Sequence, residues 1–214
     1  MSEQYISRQI SVYKTNKKLL ECIDKLKPAP KEYYAHIHSM GDKDSNGNKQ
    51  ISCIGLILQD YTNGTGDKTV RVSANISPNE AEYIFNQVKN GIEKFEFQQD
   101  KIFGQPDAKG RCTVTKLRIA RASVGKDNKP RLFPWFIKIE NGTGVKAQAQ
   151  TGGFYIKENS YVKEKEVFLN INDIDFFSLM NGVRRFIRSW EGHIGPKVIS
   201  AGKQAILDTQ KGNN

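Results

Sequence analysis

The chain has 214 residues, with 33 lysines and arginines against 23 aspartates and glutamates, a formal net charge of +10. That length suits one domain or two small halves sharing a core, and a hydrophobic content of 37% excludes a disordered chain. The positive field favours polyanionic partners, nucleic acid or an anionic membrane surface, although surplus lysine on an ordinary soluble protein gives the same count. The segment Met1 to Ile10 is polar and no apolar run approaches a membrane span, so neither insertion nor export is expected. Cys22, Cys53 and Cys112 are odd in number and widely spaced, which points to neither a disulfide framework nor a zinc site. A reducing compartment follows, and a cytoplasmic location is expected.

In chain order, Gln9 to Tyr13 reads as a strand, and Leu19 to Leu26 as a short helix ended by Pro28 and Pro30. Strands are expected at Tyr33 to Met40, Ile51 to Gln59 and Thr69 to Asn75, separated by the turn-rich stretches Gly41 to Asn48 and Asn63 to Asp67. Ser77-Pro78-Asn79-Glu80 has the cap, the first-turn proline and the third-position glutamate of a helix start. Ala81, Ile84, Phe85, Val88 and Ile92 then recur at helical spacing. After Phe95 strands return: Arg111 to Val124, Leu132 to Glu140, Gly153 to Glu158 and Glu166 to Ile171. Asn172-Asp173 caps a second helix with Phe176, Leu179, Met180, Val183, Ile187 and Trp190 on its apolar side. From Gly192 the chain reads as a tail with a short helix near Ala201 to Gln210.

An internal repeat emerges at an offset of 95 residues, for example Val72 on Val167, Asn75 on Asn170, Ile76 on Ile171 and Val88 on Val183. After a three-residue shift, Gly55 to Leu58 also falls on Gly153 to Ile156. The chain therefore reads as α+β, two antiparallel sheet-plus-helix halves of about residues 5–97 and 110–191 within one domain, 1–195, followed by a tail, 196–214.

Four strands and a helix, twice, resemble the Whirly family of single-stranded DNA-binding proteins. The order is also similar to the kinetoplastid guide-RNA-binding proteins and, distantly, to PC4-type coactivators. The likeness rests on Ala74 to Glu82, a strand leading into a Ser-Pro helix start, on Glu93 to Phe97, and on Val167 to Ile171 with a helix ending in Phe186 and Trp190. It covers roughly residues 5–195, by pattern. The lysine-rich Lys-Gly-Lys-Ala-Ala motif of plant members is absent, and Tyr13 to Lys18 replaces it poorly. The resemblance implies a homo-oligomer, a tetramer by preference, with helices at its centre and strands outward.

A surface for single strands needs cations for phosphates and flat rings for unstacked bases. Strand alternation puts Lys116 and Arg118 on one face, with Arg121 on the other beside Leu117 and Ile119 unless the strand is bulged. It likewise pairs Phe136 with Lys138, Tyr155 with Lys157, and Tyr34 with His36 and His38. These residues, Tyr34, His36, Lys116, Arg118, Arg121, Phe136, Lys138, Tyr155 and Lys157, form the candidate nucleic-acid contacts. Each also has an ordinary reading, since wet sheet faces carry cations and strands favour aromatics. Trp135 reads as core or subunit contact, and Arg184, Arg185 and Arg188 as a solvated helix face or intersubunit ion pairs.

Other constellations are weak. His36-x-His38 lacks a third metal ligand. Asp42 to Gly47 imitates the start of a calcium loop, but its twelfth position is Cys53, and a hairpin turn explains it better. Phosphate-loop, nucleophile-elbow and metalloprotease motifs are missing. The expectation is a non-enzymatic protein, without cofactor or metal, that coats single-stranded DNA in a process such as replication or recombination. An RNA-binding protein of the same fold, and a basic inhibitor or assembly module from a mobile element, remain the alternatives.

Overall fold

The computed structural model describes residues 6–43, 46–125 and 127–212. Strands β1 (Gln9–Lys14) and β2 (Lys18–Lys25) are followed by a 3-10 helix at Lys31–His36 and a small hairpin, β3 (Met40–Lys43) with β4 (Lys49–Ile51). Then come β5 (Cys53–Asp60), β6 (Val70–Ile76) and helix α1 (Pro78–Lys89). The second half repeats the plan: β7 (Lys94–Phe103), β8 (Cys112–Ala122), β9 (Trp135–Gly144), a hairpin of β10 (Lys146–Gln148) with β11 (Phe154–Ile156), β12 (Val162–Ile171) and helix α2 (Asp173–Gly212). Two antiparallel four-stranded sheets result, β1-β2-β5-β6 and β12-β9-β8-β7. The architecture is the α+β one expected.

The repeat is also visible in three dimensions. Val72 and Ile76 on β6 occupy the buried positions that Val167 and Ile171 occupy on β12, and Val88 and Val183 are both buried on their helices. One correspondence fails: Gly153 to Ile156 lies in the inserted hairpin, and the strand that takes β5's place in the second sheet is β9.

Three local expectations are overturned. Leu19 to Leu26 is not a helix but lies largely in β2, hydrogen-bonded to β1 on one side and β5 on the other. Leu20 and Cys22 point into the core, while Leu19 and Ile23 make the outer face apolar as well, which hides the two-residue period. Tyr33 to Met40 is not a strand: its first residues form the 3-10 helix, which ends at Ile37 with a positive φ of 60°. The chain after Gly192 is no separate tail, because α2 runs 40 residues to Gly212, about 60 Å at 1.5 Å per residue. The 3-10 helix lies on this extension. Tyr34 rests where a Cβ at Gly202 would come within 2.2 Å of its ring, so only glycine admits that contact. The calcium-like loop is a hairpin turn between β3 and β4, with Asp44 and Ser45 outside the described residues.

The α1 start forms as the sequence indicates. The Ser77 hydroxyl accepts from the Glu80 amide at 3.2 Å, and the Ser77 amide donates to the Glu80 carboxylate at 2.6 Å. Both helices cover the inner faces of the sheets, and one apolar cluster spans all of these elements.

The inner face of the second sheet changes character row by row. Trp135, Ile171, Arg121 and Phe95 form one end, followed by Ile137, Leu169, Ile119 and Phe97, then Ile139, Val167, Leu117 and Gln99. The next row is polar: Lys165, Asn141, Thr115 and Lys101. It faces the open edge of β6, whose backbone groups have no strand partner on that side. Asn141 accepts from the Ser73 amide and donates to the Ser73 carbonyl, both at 2.8 Å, and Lys101 donates to the Asn75 carbonyl at 2.8 Å. Replacing Asn141 by alanine should therefore cost about 1–3 kcal/mol in urea unfolding, the penalty for stranding polar groups at a seam. A loss within the error of the measurement would show that water satisfies this edge equally well.

Candidate nucleic-acid interface

On the outer face of the second sheet, Lys116 and Arg118 of β8 lie beside Phe136, Lys138 and Glu140 of β9, as strand alternation requires. Arg118 stands opposite Lys138, and Lys116 opposite Glu140. Four of the nine candidates, Lys116, Arg118, Phe136 and Lys138, are thus brought together.

The cations there are already paired. Lys116 contacts Asp100 at 3.0 Å and sits 4.7 Å from the centre of the Tyr161 ring; Arg118 contacts Glu96 at 2.9 Å. Lys138 lies 2.5 Å from Glu140 and 3.5 Å from Glu166. The hydrogen bond to Glu140 comes first in raising the Lys138 ammonium above its usual range. Burial pushes the Glu140 carboxyl up, but its bonds to Lys138 and Tyr161 prevail and hold it low. Burial and the neighbouring Glu140 push the Tyr161 phenol up, so it stays protonated and donates to Glu140 at 3.2 Å. The pairs are partly exposed, so solvent screens them and a competing polyanion can exchange with them at modest cost.

Two aromatic rings share this face. Phe168 of β12 lies diagonally next to Phe136, with ring centres 5.7 Å apart, and it is 43% exposed. Lys18 lies over the Phe168 ring at 4.1 Å and is paired with Asp60 at 3.4 Å. Beside Phe136 the surface sinks into a groove of about 500 Å³ whose walls include Lys94, Glu96, Arg118 and Arg131. Lys94 and Arg131 have no carboxylate partner among the described residues. Phe168, Lys94 and Arg131 are site residues that sequence reasoning misses. Alternation along Val162 to Ile171 is the signal that places Phe168 outward, but Arg131 lies in a connection where no periodicity marks it.

The other candidates lie elsewhere. Tyr155 and Lys157 are exposed on and just after β11, whose hairpin covers the far end of the sheet: Ile156 lies over Gly144 and Val114 is fully buried. Phe136 and Gly144 are eight residues apart on β9, about 26 Å along an extended strand. Tyr34 is packed on α2 at Gly202, and His36 stacks on Tyr33 at 6.0 Å. The two ring nitrogens of His38 bond Ser52 at 2.9 Å and Glu191 at 3.1 Å, and the ring stacks on Trp190. Among the described residues no three His, Cys, Asp or Glu side chains gather as a metal site.

Arg121 belongs to the core-facing side, and the strand carries no bulge that would turn it outward. Its guanidinium bonds both oxygens of Asp173 at 3.1 Å and the Ile92 carbonyl, and its side chain is only 9% exposed. Asp173 also accepts from the Trp135 indole at 2.8 Å, and Trp135 is buried between Phe95 and Phe176. This cluster locks the start of α2 onto β8 and β9. Arg184 and Arg188 pair with Glu82 of α1 at 3.1 and 3.2 Å, so they join the two helices within one chain.

The bond from Arg121 holds the Asp173 carboxyl below its ordinary value of 3.8, against partial burial, and the Trp135 indole adds to the effect. A depressed carboxylate contributes stability that is complete above that ordinary value and is lost as pH falls through the lower folded value. Asp173→Asn should thus be less stable than the parent at neutral pH, and the gap should narrow as urea unfolding is repeated below pH 3.8. A gap that stays constant with pH would contradict the Arg121–Asp173 account.

No protein-family model matches this sequence, and no curated protein matches it. Among solved structures, the chain is similar to one described as the structure of the plant transcriptional regulator PBF-2. Identity is 10%, the likeness covers 91% of this chain and 96% of that one, and the TM-score is 0.44.

Proposed function

We propose that this is a non-enzymatic protein that binds single-stranded nucleic acid, with DNA the favoured strand. The observation that supports this most is the outer face of the second sheet. There Phe136, half-buried, and its exposed neighbour Phe168 lie beside a groove whose walls carry Lys94 and Arg131, two cations without a carboxylate partner among the described residues, in a chain of net charge +10. Unstacked bases would lie on the rings and phosphates on the cations. Rings on a sheet surface suit a splayed strand, whereas a duplex hides its base faces within the stack. The exposed Ile174 and Phe177 in the first turns of α2 suit the homo-oligomer that the sequence resemblance implies.

A protein partner is the second reading. It is favoured by the four carboxylates, Glu96, Asp100, Glu140 and Glu166, that stand against Lys116, Arg118 and Lys138 on the same face.

Fluorescence anisotropy with a labelled single strand, a duplex and an RNA, at low and moderate salt, separates these readings. Tight, salt-sensitive binding of the single strand over the duplex is expected, and no binding at low salt would remove the nucleic-acid reading. Phe136→Ala should weaken single-strand binding by about 5- to 150-fold, the loss of about 1–3 kcal/mol of stacking. Unchanged affinity would take Phe136 out of the site.

A further inference from the structure

On the outer face of the second sheet, Lys116, Arg118 and Lys138 each hold a carboxylate within hydrogen-bond reach. Another set of four cations has none among the described residues. It gathers at the seam where the outer face of the first sheet meets the end of the polar row on the second.

Four separate elements supply this set. Arg8 precedes β1 and is fixed beside β2 because its carbonyl accepts from the Asp24 amide at 2.8 Å. Lys25 closes β2, and Arg71 lies on the outward-facing side of β6, two residues from Ser73. Lys165 of β12 is the cross-strand partner of Asn141, the residue that clasps Ser73. These four side chains line a groove of about 460 Å³ with Ser73 and Asn141 at its wall and Ile23 and Ile57 in its floor.

No carboxylate lines this groove, and none of the four cations has an ion pair among the described residues. Glu21, which shares the sheet face, does not reach them. Lys25 spends one donor on the Asn75 side chain at 3.0 Å and keeps two. Its stem lies across Gly55, where a Cβ would approach its Cε to 3.0 Å and the Ile23 side chain to 2.7 Å, so the glycine makes room for the lysine. Bringing four like charges together without counter-charge raises the energy of the folded chain, and a bound anion removes that repulsion. Two forked guanidiniums with two ammonium groups, over an apolar floor, suit phosphodiester oxygens and ask nothing of the bases.

We propose that this seam groove is a second, base-independent phosphate site, which takes the sugar-phosphate backbone of a bound strand. The proposal rests on the nucleic-acid reading of the outer sheet face, but it concerns different residues and a different chemistry. The strand would meet rings on the second sheet and charge alone at the seam.

The test uses the full chain with two probes of equal length, an abasic sugar-phosphate oligomer and a thymidine oligonucleotide, each titrated across a range of salt. Arg71→Gln combined with Lys165→Gln removes two cations that are exposed and unpartnered, so thermal melting should match the parent. Should that double variant fail to fold, Arg8→Gln with Arg71→Gln replaces it. The parent is expected to bind the abasic probe, and the double variant to lose about 1.4 from the slope of log affinity against log salt, two single-strand contacts at about 0.7 each. If the variant keeps the parent's slope and affinity for the abasic probe, or the parent fails to bind that probe, the seam site is overturned. The stacking reading can survive either result if the thymidine strand still binds. Conversely, a thymidine strand bound no better than the abasic one removes the stacking reading and leaves the seam site standing.

Discussion

Strand β6 is the open edge of the first sheet, and it lies against the face of the second, where an ordinary inner face would offer only hydrocarbon. Backbone amides and carbonyls cannot be left there without partners. The Lys165–Asn141–Thr115–Lys101 row meets that demand with side chains: Asn141 substitutes for a neighbouring strand at Ser73, and Lys101 does the same at Asn75. Because this row is polar, the apolar rows above it can close into a single core with both helices. The two halves thereby share one apolar core.

The same row decides where charge can go. Its outer end, Lys165, lies beyond the core and opens beside Arg71, so sealing an edge and assembling a cationic groove are two results of one arrangement. At the opposite end of the inner face, Arg121 is the only cation of its row and is neutralised by Asp173, with the Trp135 indole completing the carboxylate. A buried guanidinium without that partner would be expensive. Arg121 is therefore held within the structure, while Arg8 and Arg71 make no comparable side-chain bond among the described residues.

On the outer face of the second sheet the electrostatics take an intermediate form. Lys116, Arg118 and Lys138 are paired but partly exposed, so the face is near neutral at rest and its cations can exchange partners. Net charge alone would assign those lysines to phosphate. Glu140 is two residues from Lys138 on the same strand, but Asp100, Glu96 and Glu166 lie far away in sequence and reach Lys116, Arg118 and Lys138 only when β7 aligns beside β8 and β12 beside β9. The aromatic pair has the same origin, since Phe136 and Phe168 are 32 residues apart and meet through strand register.

Local pattern determines most of the fold by itself. Alternation in Arg111 to Val124 and Leu132 to Glu140 specifies β8 and β9, the Ser77-Pro78-Asn79-Glu80 start specifies α1, and the 95-residue offset marks the repeat. Those signals act through neighbours within one turn or one pleat. Leu19 to Leu26 and Tyr33 to Met40 mislead because their conformations come from distant partners: β1 and β5 for the first, and the α2 extension at Gly202 for the second. Of the candidate site, the grouping of Lys116, Arg118, Phe136 and Lys138 is legible as a shared face, but their ion pairs are not. The seam of Arg8, Lys25, Arg71 and Lys165 leaves no trace in the sequence, because no period links four elements that only packing brings together. A side chain's direction is a local property of the backbone, whereas its electrostatic partner is a property of the whole fold, and here that partner decides which cations a ligand can reach.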